Sequence, residues 1–334
     1  MKNNIHQIFS KLLSRNRSIG DLYSATALPE SSSHKLGITE TNAPVFFIAS
    51  PLLEHSANIS LDLISVLFNQ PCKLRYDESP SEDNGVYTVV ILKTNQPELG
   101  WYFIDVMALV LSKIGDYPDS QTLVSEMNKL VELFRSLTKP SKNTIQGLWA
   151  ELFVVTQSMN PEYLIESWHT EANDIYDFND GVDKIEVKST SSTNRKHHFS
   201  LRQLNPNDGA NLVISSVFVI SSGRGMNILG LMNCIENKIQ RIDLRFKLNE
   251  VVSKTLGADF EKAMKFHFDY QLALDSYLIY DYMDIPRIET HFIPQEISEV
   301  HFDCDITGVK PISKLSAKFP NSKLFKAIDS YEQQ

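Results

Sequence analysis

The sequence predicts an α/β chain, α+β overall, with a mixed sheet at its centre. Three observations carry this. From Val45 the chain alternates short apolar runs with turn residues: VFFIAS, ISLDLISVLF, CKLRY and VYTVVILK, separated by Pro51, Pro71, Pro80 and Gly85. Phe103, Val106, Met107 and Val110 then recur at helical spacing, and a second amphipathic stretch covers Leu123 to Leu137. Between Thr144 and about Ser222 the order reads helix, strand, turn, strand, strand, short helix, strand. The last of these, LVISSVFVI, is almost wholly apolar, as a central strand buried on both faces must be.

Four segments follow from this. Residues 1–43 read as a short amphipathic helix, from His6 to near Ser14, and a Ser-rich linker. Residues 44–140 form the β-rich region and its helices, closed by Lys139-Pro140-Ser141. Residues 141–222 form a compact core. Residues 223–334 form an extension, helical to about residue 275 and partly β at ISEVHFDCDI. The 334 residues, 42% hydrophobic and 22% charged, are ample for packed cores and argue against extensive disorder. No apolar run is long enough to span a bilayer, and the N-terminus lacks the features of a secretory signal. Three scattered cysteines, Cys72, Cys234 and Cys304, suit a reducing compartment, so a cytoplasmic protein is expected.

The chemistry concentrates in the core. In Lys184-Ile185-Glu186-Val187-Lys188-Ser189, strand alternation turns Ile185 and Val187 inward. Glu186 and Lys188 share the other face, about 6.6 Å apart along the backbone. A half-exposed amphipathic strand has the same pattern, so the surroundings decide. Asp174-Ile175-Tyr176-Asp177-Phe178 leads through the turn Asn179-Asp180-Gly181 into this strand, which brings Asp177 beside Glu186. Asp180 already serves the turn. Upstream, Ile145, Leu148, Trp149 and Leu152 form the apolar stripe of a helix with Glu151 at its edge, one turn after Gly147. Gly147 costs about 1 kcal/mol of helix propensity and clears bulk next to Glu151. Carboxylates about 5 Å apart repel by roughly 3 kcal/mol at an effective dielectric near 20, so the cluster calls for a cation. Hard oxygen donors suit Mg²⁺ or Mn²⁺, and Lys188 is placed to orient a water or offset charge on a phosphate.

Gly147-Leu148-Trp149-Ala150-Glu151-Leu152, Asp177-Phe178, Glu186-Val187-Lys188 and Arg202-Gln203-Leu204 resemble the PD-(D/E)XK nuclease superfamily. The similarity is narrower to a bacterial branch found near restriction-modification genes, to which Tyr277 to Tyr282 and Ile285-Pro286-Arg287 are also similar. It is specific over residues 144–220 and diffuse elsewhere, and Tyr176 stands where the motif has proline. The resemblance implies a restriction-endonuclease-like core of helix, three strands, helix and strand. It implies Asp177 and Glu186 as metal ligands, Glu151 as an additional carboxylate at the metal or its water, and Lys188 as the catalytic lysine. Gln203 has two readings of equal weight, positioning a water or phosphate, or simply opening a helix.

The expected function is therefore a Mg²⁺- or Mn²⁺-dependent DNA endonuclease, a subunit of a bacterial restriction or phage-defence system, with DNA, other subunits or a second copy as partners and no membrane. Two alternatives stay open: a non-catalytic DNA-binding or assembly subunit, and a nuclease for RNA or branched DNA. The net charge of −9 counts against a nucleic-acid enzyme. Locally, though, Lys184, Lys188, Arg195, Lys196 and Arg202 face only Glu186, which makes Arg195, Lys196 and Arg202 expected DNA contacts. Adjacent strand residues His197 and His198 cannot both serve one metal, and His197 is read as a phosphate contact or half of a surface pair. Gly223-Arg224-Gly225 reads as a loop, and residues 177–188 do not fit an EF-hand. Asp303 and Asp305 read as the exposed face of an amphipathic strand, and Phe266, Phe268 and Tyr270 as core.

Overall fold

A computed structural model describes residues 2–14, 23–28, 31–53, 56–76, 82–140, 144–169 and 174–329. It divides into two compact units. One holds residues 1–140 and 257–261, the other 141–256 and 262–334. The Ser141 of the sequence-based boundary, and Pro80 among the predicted breaks, lie outside the described residues. Among the described residues no helix is long and apolar enough to cross a membrane.

The first unit begins with helix α1 (Lys2–Leu13) and strands β1 (Tyr23–Leu28), β2 (Ser31–Ile38), β3 (Pro44–Ala49), β4 (Ile59–Ser60), β5 (Ile64–Tyr76) and β6 (Glu82–Leu92). Helices α2 (Pro97–Ile114) and α3 (Ser120–Ser136) follow. The strand order is β1-β2-β3-β6-β5-β4, and β1 also pairs in parallel with β5, so five strands close on themselves. Phe46, Phe103 and Phe134 join sheet and helices through edge-on rings 5.7 and 5.5 Å apart.

Two expectations are corrected here. The stretch read as a linker carries β1 and β2, where Ala25, Leu28, Leu36 and Ile38 are buried. Pro71 does not break the strand either. It pairs with Val86 inside β5, and the register shift falls earlier, between Leu67 and Gln70, where Asn69 takes φ 54.

The second unit runs α4 (Ile145–Gln157), α5 (Pro161–Ser167), β7 (Phe178–Asn179), β8 (Asp183–Thr190), β9 (Lys196–Ser200), a 3-10 turn (Leu201–Leu204), β10 (Asn211–Phe218) and β11 (Ser221–Met226). Then come α6 (Ile228–Glu236), α7 (Ile242–Leu256), α8 (Phe260–Lys265), whose first two residues belong to the first unit, α9 (Tyr270–Ser276), β12 (Leu278–Asp281), β13 (His301–Asp305), α10 (Leu315–Lys318) and α11 (Lys323–Ile328).

The central sheet has the order β12-β10-β8-β7. β8 and β10 are parallel, whereas β7 and β12 are antiparallel to their neighbours, so the sheet is mixed. β10 is buried along its middle, as its apolar run requires. The third core strand, β9, does not join this sheet. It pairs with β13 as a two-stranded ribbon, and the fourth sheet position is taken by β12. β9 alternates exposed and buried residues, which suits an edge ribbon rather than a sheet centre. Gly225, expected in a loop, lies in β11. A Cβ there would sit 2.0 Å from the Phe268 carbonyl oxygen, so only glycine fits. Phe268 is buried as expected, but Phe266 is exposed.

Candidate metal centre

Three local structures bring the acidic side chains together. Thr144 caps α4 by accepting a hydrogen bond from the Gly147 amide, 3.0 Å. A Cβ on Gly147 would meet this Thr144 hydroxyl at 3.1 Å, so the glycine accommodates the cap rather than an approach to Glu151. One turn further, Glu151 is 3% exposed, not on a solvated edge. Trp168 Nε1 donates to its Oε2 over 2.8 Å.

The turn between β7 and β8 is held by Asp180, whose Oδ1 accepts from the Val182 and Asp183 amides, with Gly181 at φ 97. Phe178 pairs with Ile185, so Asp177 falls beside Glu186. Asp177 Oδ2 accepts from the Val187 amide at 2.6 Å. The chain leaving α5 runs along the same strand. Trp168 bridges Phe178, and the His169 amide donates to the Asp177 carbonyl at 2.9 Å.

Glu186 and Lys188 leave β8 on the same face. Glu186 is 3% exposed, and its Oε1 accepts from Lys188 Nζ at 2.8 Å and from Gln203 Nε2 at 2.6 Å. Lys188 Nζ also donates to Gln203 Oε1 at 3.2 Å and lies 5.0 Å from the centre of the Phe199 ring. Gln203 forms a reciprocal capping box with Ser200, its Oε1 accepting from the Ser200 amide at 3.0 Å. The helix-start reading of Gln203 is met by this capping box. The residue opens the 3-10 turn and, with the same amide, fixes the Glu186–Lys188 pair.

The electrostatics set these carboxyls apart. Burial raises the pKa of all three carboxyls. Glu151 is held well above its usual value by burial and then by the Asp177 charge. Glu186 is pushed up to about 8 by the same two causes, against the pull of Lys188. Asp177 is raised to about 6 by burial, moderated by the Val187 amide and Lys188. Among the described residues Glu186 Oε2 is the one buried side-chain oxygen or nitrogen that lacks a hydrogen-bond partner. A buried, unpaired carboxylate oxygen among further carboxylates fits a hard divalent cation.

One further residue enters. A ligand atom each from Glu151, His169 and Asp177 lie within 4.8 Å of one another. His169 has no sequence spacing that ties it to the motif. Its signal is structural, through the pairing of its strand segment with β7.

The predicted nucleic-acid contacts divide. Lys196 is exposed and pairs with Asp303 at 3.2 Å, and Arg202 is exposed beside Gln203. Arg195 and His197 are corrected: both are buried, at 6% and 3%. Arg195 donates to the Ser216 carbonyl and hydroxyl and to the Ser276 carbonyl, and stacks on Phe218. His197 Nε2 meets Ser216 Oγ at 2.8 Å, and burial lowers it to about 4. Both side chains are packed in the interior rather than presented to solvent. Arg195→Ala is accordingly expected to lower stability by about 3 kcal/mol, measured by urea unfolding, through lost buried charge-assisted bonds. Lys196→Ala, on an exposed ion pair, should change stability by less than about 1 kcal/mol.

A family profile described as "Putative PD-(D/E)XK family member, (DUF4420)" matches residues 24–307. The chain belongs to this family, whose nuclease-like mixed α/β fold agrees with the architecture above. No curated protein and no solved structure matches the chain.

The raised carboxyls make a signed prediction for the cation-free protein. Between about pH 4 and pH 8 the native cluster binds more protons than the unfolded chain, so its contribution to stability falls as pH rises through this window. In EDTA, the Tm of the protein relative to Glu186→Gln should decline from pH 5 to pH 8. Added Mg²⁺ or Mn²⁺ should raise Tm more at pH 8 than at pH 5, because the ion competes with protons for the same oxygens. Equal stabilisation at both values would contradict a carboxylate-bound ion.

Proposed function

We propose that the protein is a divalent-cation-dependent DNA nuclease that hydrolyses phosphodiester bonds. We infer further that it acts in the bacterial cytoplasm within a restriction or anti-phage system, with partner subunits or a second copy. The observation that carries the catalytic reading is the orphaned Glu186 Oε2, buried in a cluster of three carboxylates and adjoining Lys188. The family membership and the likeness to chains found near restriction-modification genes support the rest.

Asp177, Glu186 and Glu151 would hold the ion, and Mg²⁺ or Mn²⁺ fits their oxygen donors. Bound there, such an ion polarises a phosphoryl oxygen and acidifies a water. Lys188 contributes the positive charge of the chain itself. Its side chain is 16% exposed and its ammonium is anchored by Glu186 and Gln203, so it can donate to a phosphate oxygen or to the attacking water without reorganising. Gln203 is a positioning residue, since its amide bonds both Glu186 and Lys188. Arg202, adjacent to Gln203 in the chain, and Lys196 are exposed cations that would meet phosphates. Given an overall charge of −9, we infer that a partner subunit adds to the affinity for a polyanion.

The test is a panel of labelled duplex DNA, single-stranded DNA, branched DNA and RNA, incubated with Mg²⁺, Mn²⁺ or EDTA. Cation-dependent scission of duplex DNA is expected. Cleavage of RNA or branched DNA alone would replace the substrate class, and binding of duplex without scission of any substrate would make the protein a binding or assembly subunit.

A further inference from the structure

We propose that His169 is a metal ligand of this centre, and that its nitrogen makes the site select Mn²⁺ over Mg²⁺. The inference rests on the cation-site reading and deepens it. The imidazole is half-buried, and Nδ1 lies 4.0 Å from Glu151 Oε2. Ligands at about 2.1 Å around an octahedral ion stand about 3.0 Å apart when adjacent and about 4.2 Å apart when opposed, so atoms within 4.8 Å need little adjustment.

The supports of each group leave it free to ligate. Glu151 Oε2 takes the Trp168 indole, which fixes the carboxylate and leaves its other oxygen. Asp177 spends Oδ2 on the Val187 amide and retains Oδ1. The Asp177 carbonyl already receives the His169 amide at 2.9 Å, and the ring contact to the same carbonyl is a long 3.3 Å. The ring is thus held near the carboxylates by its own backbone, with a short path into the cluster. Independently of these three residues, Glu186, which the strand pairing sets beside Asp177, keeps a buried Oε2 with no hydrogen-bond partner.

Selectivity follows from the donor set. Mg²⁺ prefers oxygen donors throughout and keeps its waters, whereas an imidazole nitrogen suits ions further along the first transition row. Replacing one oxygen by nitrogen costs Mg²⁺ more than Mn²⁺. The three carboxylates keep the site hard enough for Mn²⁺ to remain a fitting occupant.

The experiment titrates the full chain with Mn²⁺ alone, followed by the electron-spin resonance of the free aqueous ion, and with Mg²⁺ as competitor. Wild type, His169→Gln and Glu186→Ala are compared, with thermal melting to verify that each folds. Wild type should bind Mn²⁺ at least about tenfold tighter than Mg²⁺, and His169→Gln should lose about tenfold for Mn²⁺ while Mg²⁺ changes little. Pulsed resonance of bound Mn²⁺ should show modulation from a directly ligated ¹⁴N in wild type and none in His169→Gln. Absence of the nitrogen signal in wild type, or equal Mn²⁺ affinity in both proteins, overturns the role of His169. If Glu186→Ala also binds Mn²⁺ as wild type does, the cation site itself is lost, whereas loss in Glu186→Ala alone removes only His169.

Discussion

Lys188→Ala is expected to abolish cleavage, by about 10³-fold or more in kcat/KM, while the protein stays folded. That loss corresponds to about 4 kcal/mol of transition-state stabilisation, the size associated with removing a preorganised charge from a dry site. The structure explains why a single ammonium can have this weight. Lys188 is held by two acceptors and by the Phe199 ring, so its position costs nothing at the moment of reaction. The fold should survive, because Lys188 projects from a strand whose backbone ladder to β10 is independent of the side chain. Lys188→Met, close in shape, separates charge from packing. It should be as inactive as the alanine variant, with near-normal Mn²⁺ affinity by calorimetry and a cooperative melt. Retained activity in both variants would remove Lys188 from the reaction.

Asp177→Asn is expected to weaken Mg²⁺ and Mn²⁺ binding by about tenfold to a hundredfold and to reduce cleavage at least as much. The substitution is close to isosteric, and the asparagine oxygen can still accept from the Val187 amide. It removes a charge that now raises both Glu151 and Glu186. The cation-free variant should therefore melt higher than cation-free wild type at pH 8, by relief of repulsion. With saturating cation the order should reverse, because the wild type gains more from the ion. A residue with only a structural role would not produce that crossing. Unchanged cation affinity in Asp177→Asn would count against its ligand role.

Much of this arrangement is legible in the sequence, for a physical reason. Strand alternation places Glu186 and Lys188 on one face whatever surrounds them, and the Asp180-Gly181 turn returns the chain so that Asp177 comes alongside. Helical periodicity similarly carries Glu151 at a fixed angle from Leu148 and Leu152. The buried run of β10 is legible because parallel central strands need apolar residues on both faces.

What sequence conceals is which face of a local pattern meets the interior. Arg195 and His197 belong to the same basic stretch as Lys196 and Arg202, and charge counting treats them alike. Tertiary contacts with Ser216 and Ser276 bury the first two. β12 is a four-residue strand, too short for its period to separate it from a helix end. β2 opens on three serines, so its composition suggests a linker, although pairing with β1 and β3 makes it a strand. His169 reaches the cluster through the pairing beside β7, a contact between segments eight residues apart with no motif to announce it.

The most direct test of the central claim is incubation of purified protein with supercoiled plasmid in Mg²⁺, in Mn²⁺ and in EDTA, with Glu186→Ala in parallel. Nicked or linear plasmid that forms with the cations, and is lost both in EDTA and in Glu186→Ala, is the predicted result. Cleavage that persists in EDTA or survives in Glu186→Ala would contradict a reaction built on this carboxylate cluster.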